Sequence, residues 1–266
     1  MKRIRGKNVL LTGATGGIGS EVAQLLLENN CQLGLVGRSE PKLQQLNERF
    51  SRYQKQFITV QADINNTVER QLCLRHTREY FGNLDILINL AGTMDFNSFY
   101  RQDEETIEKI FHTNTLAPIK LCRDVLPSML AANNGHIVNV GSIFGSIAFA
   151  YFTTYSASKF ALRGFSEALR RELADTPIKI SYIAPRAVKT SLNSKAVYAM
   201  AKEVNMTLDS PKLVAQQIVS AIANDRKDVF LGFPEALFVR INALLPRLVD
   251  FGTRNQNRVA QKYLNQ

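Results

Sequence analysis

Short apolar runs alternate with longer amphipathic stretches from residue 8 to residue 231. The runs at residues 8–11, 31–36, 57–60, 84–88, 136–140, 178–183 and 228–231 carry few charges, the pattern of strands buried on both faces. Helical stretches are predicted between them, over residues 20–28, 41–52, a polar segment up to Arg78, 104–132, 155–173 and 211–224. The last of these starts on Ser210 as N-cap with Pro211 in the first helical position. Strands alternating with helices along the whole length predict a parallel sheet covered on both faces. With right-handed crossovers this is an α/β fold, a single-domain doubly wound parallel sheet of Rossmann type. Residues 1–232 are expected to form the α/β domain, and residues 233–266 a C-terminal amphipathic helical extension packed on it.

In that extension Leu237, Ile241, Leu244, Leu248 and Phe251 fall on one helical face, and Arg240, Arg247 and Arg254 on another. Pro246 removes a backbone donor, so the helix is expected to kink or restart there. The apolar stripe needs a cover: the chain's own core beside a substrate pocket, a second subunit, or a membrane surface. Intramolecular packing that helps close the pocket is the first expectation, with membrane or subunit contact second.

Composition narrows the class. A chain of 266 residues that is 45% hydrophobic and 21% charged is an ordinary globular protein able to bury a large core. Cys31, Cys73 and Cys122 are scattered, odd in number and set in apolar segments, which argues for thiols in a reducing, cytoplasmic setting. The basic start (Lys2, Arg3, Arg5, Lys7) resembles the n-region of a secretory signal. The apolar run after it, Val9 to Leu11, is too short for an h-region. Residues 137–158 are uncharged, but Asn139 and several hydroxyl groups favour a strand and loop over a membrane span. The net charge of +10 is spread along the chain without a dense basic block, so a nucleic-acid partner is not expected. His76, His112 and His136 lie in separate elements without ligand spacing, and no metal site is suggested.

Two constellations carry chemistry. Gly13, Gly17 and Gly19 sit between the first strand and its helix, where glycine permits a tight turn and close approach of a pyrophosphate to a helix N-terminus. The second strand ends on Gly37, Arg38 and Ser39 with no acid to hold ribose hydroxyls, whereas the Arg38 guanidinium suits a 2′-phosphate. Further on, Tyr155 and Lys159 are one helical turn apart, so their side chains are neighbours. An ammonium beside a phenol favours the phenolate and should draw the phenol toward neutrality. Ser142 ends a predicted strand nearby, where a hydroxyl can hydrogen-bond a substrate oxygen.

Thr12 with Gly13, Gly17, Ile18 and Gly19, then Asn89 with Ala91 and Gly92, Asn114, Ser142, and Tyr155 with Lys159 occur together in one order. This set resembles the short-chain dehydrogenase/reductase family over residues 6–232. The resemblance implies a catalytic tetrad of Asn114, Ser142, Tyr155 and Lys159, with Lys159 also holding the nicotinamide ribose and Asn114 a proton-relaying water. It implies a cofactor held by the glycine turn with Thr15 and Ile18, by Arg38, and by Asp63 and Ile64 at the adenine. Asn89, Ala91 and Gly92 would line the adenosine side, and Pro185, Val188 and Thr190 the nicotinamide side, Thr190 matching the family's carboxamide-binding threonine. Three features depart from the family pattern: Leu90 in place of a second asparagine, Arg186 in place of a glycine that lets backbone approach the nicotinamide, and the long tail after Leu231.

The expectation is an NADPH-dependent oxidoreductase that transfers hydride to a ketone or aldehyde, or from the matching secondary alcohol. Met94, Phe96, Phe99, Phe144, Phe149, Tyr151 and Phe152 flank the centre, and residues 192–206, with Val197, Tyr198 and Met200, take the place of a substrate lid, which gives some weight to a lipophilic substrate. The alternatives are an NAD-linked alcohol dehydrogenase and a cofactor-binding regulatory or membrane-associated protein with weak catalysis. A homodimer or homotetramer is implied, and peripheral membrane contact is the alternative role of the tail.

Overall fold

Apolar runs of this length bury both of their faces when helices pack above and below them. The computed structural model describes residues 2–264, so Met1, Asn265 and Gln266, at the ends of the two expected segments, lie outside the described residues. Its strands are β1 (Asn8–Thr12), β2 (Gln32–Gly37), β3 (Phe57–Gln61), β4 (Ile86–Asn89), β5 (His136–Val140), β6 (Lys179–Ala184) and β7 (Asp228–Phe230). All pair in parallel in the order β3-β2-β1-β4-β5-β6-β7.

Alternate strand residues feed opposite faces. Val9, Leu11, Leu33, Leu35, Ile86 and Ile88 pack under α1 (Gly17–Glu28), α2 (Glu40–Arg49) and α8 (Pro211–Ala223). Leu10, Val36, Leu87, Ile137 and Ile180 pack under α3 (Thr67–Phe81), α5 (Ala117–Ala131) and α6 (Thr153–Glu172). Each fully buried Leu or Ile contributes roughly 1.5–3 kcal/mol, so the two layers together fix the register of the sheet. Caps set where helices begin: Asn66 accepts from the N–H groups of Val68 and Glu69, and Ser210 from that of Leu213.

The structure adds to the sequence expectation at four places, the break at Pro246 being as expected and the last a correction. The stretch 104–132 is divided into α4 (Glu104–Phe111), a π-helical turn (His112–Leu116) that carries Asn114, and α5. The expected lid holds a helix of its own, α7 (Lys195–Glu203), capped by Ser194. The tail forms α9 (Glu235–Leu244) and α10 (Pro246–Gln261), with the chain restarting at Pro246 as a first-turn residue. The fourth is a correction: Leu237, Leu244, Leu248 and Phe251 are exposed, while Val239 and Ala260 are the residues the two helices bury. The chain turns at Leu245, so a stripe drawn for one continuous helix is split between two axes. Among the described residues, no helix is long and apolar enough to cross a membrane.

The chain crosses from β3 back over β1 to β4, so strand order reverses between β1 and β4. A crevice opens beyond the carboxyl ends of those strands.

Candidate active site

The turn after β1 is built on absent side chains. Gly13 has φ +70°, and a Cβ there would stand 2.8 Å from the Ala91 backbone. A Cβ on Gly19 would stand 2.1 Å from the Gly13 carbonyl oxygen. Thr12 Oγ1 accepts from the N–H groups of Leu90 (3.1 Å) and Ala91 (3.3 Å), tying this turn to the one after β4. The N-cap of α1 is Gly16, which offers no side-chain acceptor, so the first N–H groups of the helix are left for a ligand.

A cleft of about 820 Å³ runs from this turn across the carboxyl ends of the strands. Gly13, Gly17, Ile18, Gly19, Asp63, Ile64, Ala91 and Gly92 line its first part. Arg38 lines it at the end of β2 together with Lys42; the Arg38 side chain is exposed and has no carboxylate partner among the described residues. Thr15 lies behind the wall, its Cγ2 filling the place a Cβ on Gly37 would take. Pro185, Val188 and Thr190 line the middle, with Thr190 Cγ2 3.1 Å from where a Gly17 Cβ would be. Asn89 is placed differently: its side chain turns into the interior and donates to Asn139 Oδ1 (2.8 Å), whose own amide donates to Ser166 Oγ (2.9 Å). The uninterrupted burial of β4 carries that amide inward, and only the backbone after it reaches the cleft.

Ser142, Tyr155 and Lys159 meet at the far part of the cleft. The Tyr155 phenol lies beside the Ser142 side chain, whose Oγ accepts from the Phe144 N–H (3.1 Å). Lys159 is buried, and its Nζ donates to the Val140 carbonyl (3.2 Å). Asn114 stands one layer behind: its amide donates to Thr93 O (2.8 Å) and Ser158 Oγ (3.0 Å), and its Oδ1 accepts from Thr93 N (2.8 Å). The π-helical turn swings this side chain out of the α-helical register, which periodicity alone cannot reveal.

The expected depression of the Tyr155 phenol by Lys159 is not seen. Burial pushes the phenol up to about 12, opposed by the Ser142 hydroxyl. Burial likewise pushes Lys159 down to about 8. The physical reason is geometric as well: the ammonium is spent on a backbone carbonyl and stands 5.8 Å from the phenol ring centroid.

Phe144, Phe149 and Phe152 line the cleft beside Tyr155, with the Phe144 and Phe149 rings stacked at 5.3 Å. Val197 and Met200 of α7 and Ala260 of α10 pack on the same cluster. Phe99 is exposed in a short 3-10 turn, away from the centre it was expected to flank. Arg186 also lines the cleft, and its guanidinium is held in place by acids. It pairs with Asp209 through Nε (3.0 Å) and Nη2 (2.8 Å), and its Nη1 donates to Glu235 (3.0 Å) and to the Phe233 carbonyl (3.3 Å). Sequence reading missed this clamp because its partners lie more than twenty positions away; the one available signal was a charged residue where a backbone approach calls for glycine.

A glycine cradle, an open helix N-terminus and a cleft of this size fit a dinucleotide at the switch point of a doubly wound sheet. Fold and cleft thus define a nucleotide-binding oxidoreductase of Rossmann type. The family model for short chain dehydrogenases matches residues 7–201, and the chain belongs to the short-chain dehydrogenase/reductase family. It is an NAD(P)-dependent dehydrogenase/reductase. The ketoacyl reductase HetN of Nostoc sp. is 31% identical over 99% of this chain and 98% of that protein. The bovine dehydrogenase/reductase SDR family member 7B (Bos taurus) is 30% identical over 92% of this chain and 79% of that protein. A short-chain dehydrogenase/reductase from Burkholderia phymatum, solved in complex with NAD, superposes with a TM-score of 0.84 at 23% identity. It covers 93% of this chain and 96% of that one, a likeness of fold.

Proposed function

We propose that the protein is an NADPH-dependent reductase of an apolar ketone or aldehyde, running in reverse on the matching secondary or primary alcohol. The observation that carries this reading is a buried phenol beside a serine hydroxyl and a buried lysine, in a cleft whose neighbouring wall is aromatic. When bound, the nicotinamide supplies or takes the hydride. Tyr155 then gives its proton to the carbonyl oxygen, general acid catalysis contributing roughly 10²–10⁴-fold. Ser142 accepts the Phe144 N–H, so its own proton is free to point at an oxygen, that of the phenol or that of the carbonyl. Lys159 places a cation beside the ring face, held by the Val140 carbonyl. Asn114 positions the Thr93 backbone in the loop after β4, and Ser158, behind these groups. The HetN relative's name, ketoacyl reductase, supports a carbonyl on an acyl chain as one member of this substrate class.

The cofactor preference rests on Arg38, an unpaired guanidinium beside Lys42 at the end of β2. A charge-assisted contact to a 2′-phosphate contributes about 1.5–3 kcal/mol, a preference of roughly tenfold to a hundredfold for NADPH over NADH. Arg38→Asp is expected to reverse it. Fluorescence titration of both cofactors checks this, and equal dissociation constants in the wild type would count against NADPH. A panel of long-chain ketones and aldehydes, followed by NADPH oxidation, tests the substrate class. Turnover confined to small polar carbonyls would refute the apolar reading.

A further inference from the structure

The hairpin of α9 and α10 ends in a tip that, among the described residues, no other part of the chain covers. Ala243, Leu244, Leu245, Pro246, Arg247 and Leu248 are exposed in succession, with Leu244 81% exposed. Phe251, one turn further on, is 67% exposed. Arg247, Phe251, Arg254 and Arg258 follow at three- and four-residue steps, so they form one stripe along α10. Arg254 stacks over the Phe251 ring at 5.3 Å. Among the described residues, none of Arg240, Arg247, Arg254 and Arg258 pairs with a carboxylate. The acids of the two helices are Asp250, exposed on α10, and Glu235, which is engaged by Arg186.

An exposed face that is apolar and cationic at once suits a partner that is apolar and anionic. A second copy meeting the same face about a two-fold axis would bring these arginines against their own counterparts, which is repulsive. An anionic bilayer neutralises them and takes up the leucines and the phenylalanine at its headgroup boundary. The position of the tip adds a consequence: Phe238, Ile241, Leu248 and Val249 of the same hairpin line the cleft that holds Tyr155.

We propose that the α9–α10 tip is a docking surface for an anionic lipid bilayer, entered by Leu244, Leu245 and Phe251, which sets the open side of the cleft toward the membrane. Docking rests on the patch alone. The delivery of an apolar carbonyl compound from the bilayer to Tyr155 rests in addition on the reductase reading above.

The test is flotation of the full-length protein with vesicles of phosphatidylcholine, alone or with about a quarter phosphatidylglycerol, without any substrate. The protein is expected to float with the anionic vesicles and far less with the neutral ones. Arg247→Gln with Arg254→Gln should weaken binding roughly thirtyfold, at about a fivefold factor for each cation near an anionic surface. Leu244→Glu with Phe251→Glu should abolish it. Both variants should keep the wild-type turnover of a soluble carbonyl compound in the absence of vesicles, which shows that they fold. No flotation of the wild type, or flotation untouched by either variant, overturns the proposal. A wild type that stays with the soluble fraction as a dimer, and becomes monomeric in the Leu244→Glu, Phe251→Glu variant, overturns it in favour of a second copy. Flotation that obeys both variants while no carbonyl compound is turned over supports docking and counts against the reductase reading alone.

Discussion

With its phenol held at about 12, Tyr155 carries its proton through the neutral range, the form a carbonyl reduction consumes. Alcohol oxidation consumes the phenolate, which burial makes scarce. The kcat/KM for reduction is therefore expected to be level from mildly acidic pH through neutrality, below the range where Lys159 loses its charge, and that for oxidation to rise with pH across the same range. Profiles in both directions check this; a reductive rate that falls as pH rises through neutrality would assign the proton to another group. His136 carries a stability counterpart. It is buried in β5, its Nε2 is 2.8 Å from Ser181 Oγ, and burial pushes it down from 6.5 to about 4, the nearby Asp225 raising it and Lys179 lowering it. The folded state thus holds the neutral imidazole where the unfolded chain binds a proton. That contribution is complete above pH 6.5 and is lost as pH falls toward 4. Between neutral pH and about pH 4.5 it amounts to roughly 2–3 kcal/mol. Denaturant titrations of the wild type and of His136→Gln should show the acid loss reduced in the variant.

Among the elements, the segment that carries α7, proposed as a flap over the substrate, and α9 are both tied to one side chain. Arg186 and Asp209 stand at the two ends of the loop that carries α7, and their ion pair closes its base, while Glu235 ties α9 to the same guanidinium. Asp209 is buried, so Arg186→Gly leaves its carboxylate unpaired, at a cost of about 3–5 kcal/mol. Arg186→Gly with Asp209→Asn should recover most of the melting temperature yet keep a raised substrate KM and an unchanged NADPH affinity, because the flap remains untied. A double variant with wild-type KM would limit the clamp to stability. The same elements show what the sequence makes legible. Strands and their flanking helices follow from apolar periodicity, and the glycine turn from steric need at Gly13 and Gly19. Ser142, Tyr155 and Lys159 meet because β5 and α6 deliver them to one end of the sheet. Three features escaped: the π-helical turn at Asn114, the inward amide of Asn89, and the clamp at Arg186. Each depends on hydrogen bonds or ion pairs between distant segments, which periodicity does not record.

At the scale of the whole molecule, the fold separates two tasks along one cleft. In the proposed reading, the β1–β4 switch point with its glycine turn and Arg38 would face the nucleotide, and the aromatic cluster under α7 and α10 the other reactant. Ser142, Tyr155 and Lys159 stand where the two regions meet, so the account places all proton transfer there. Its most direct test is Tyr155→Phe, which keeps the ring packed against Phe144 and removes only the hydroxyl. Steady-state carbonyl reduction and NADPH titration are measured side by side on the wild type and the variant. The account expects kcat to fall by roughly 10²–10⁴-fold with the NADPH dissociation constant unchanged. Retention of most of the turnover by the phenylalanine variant would contradict it.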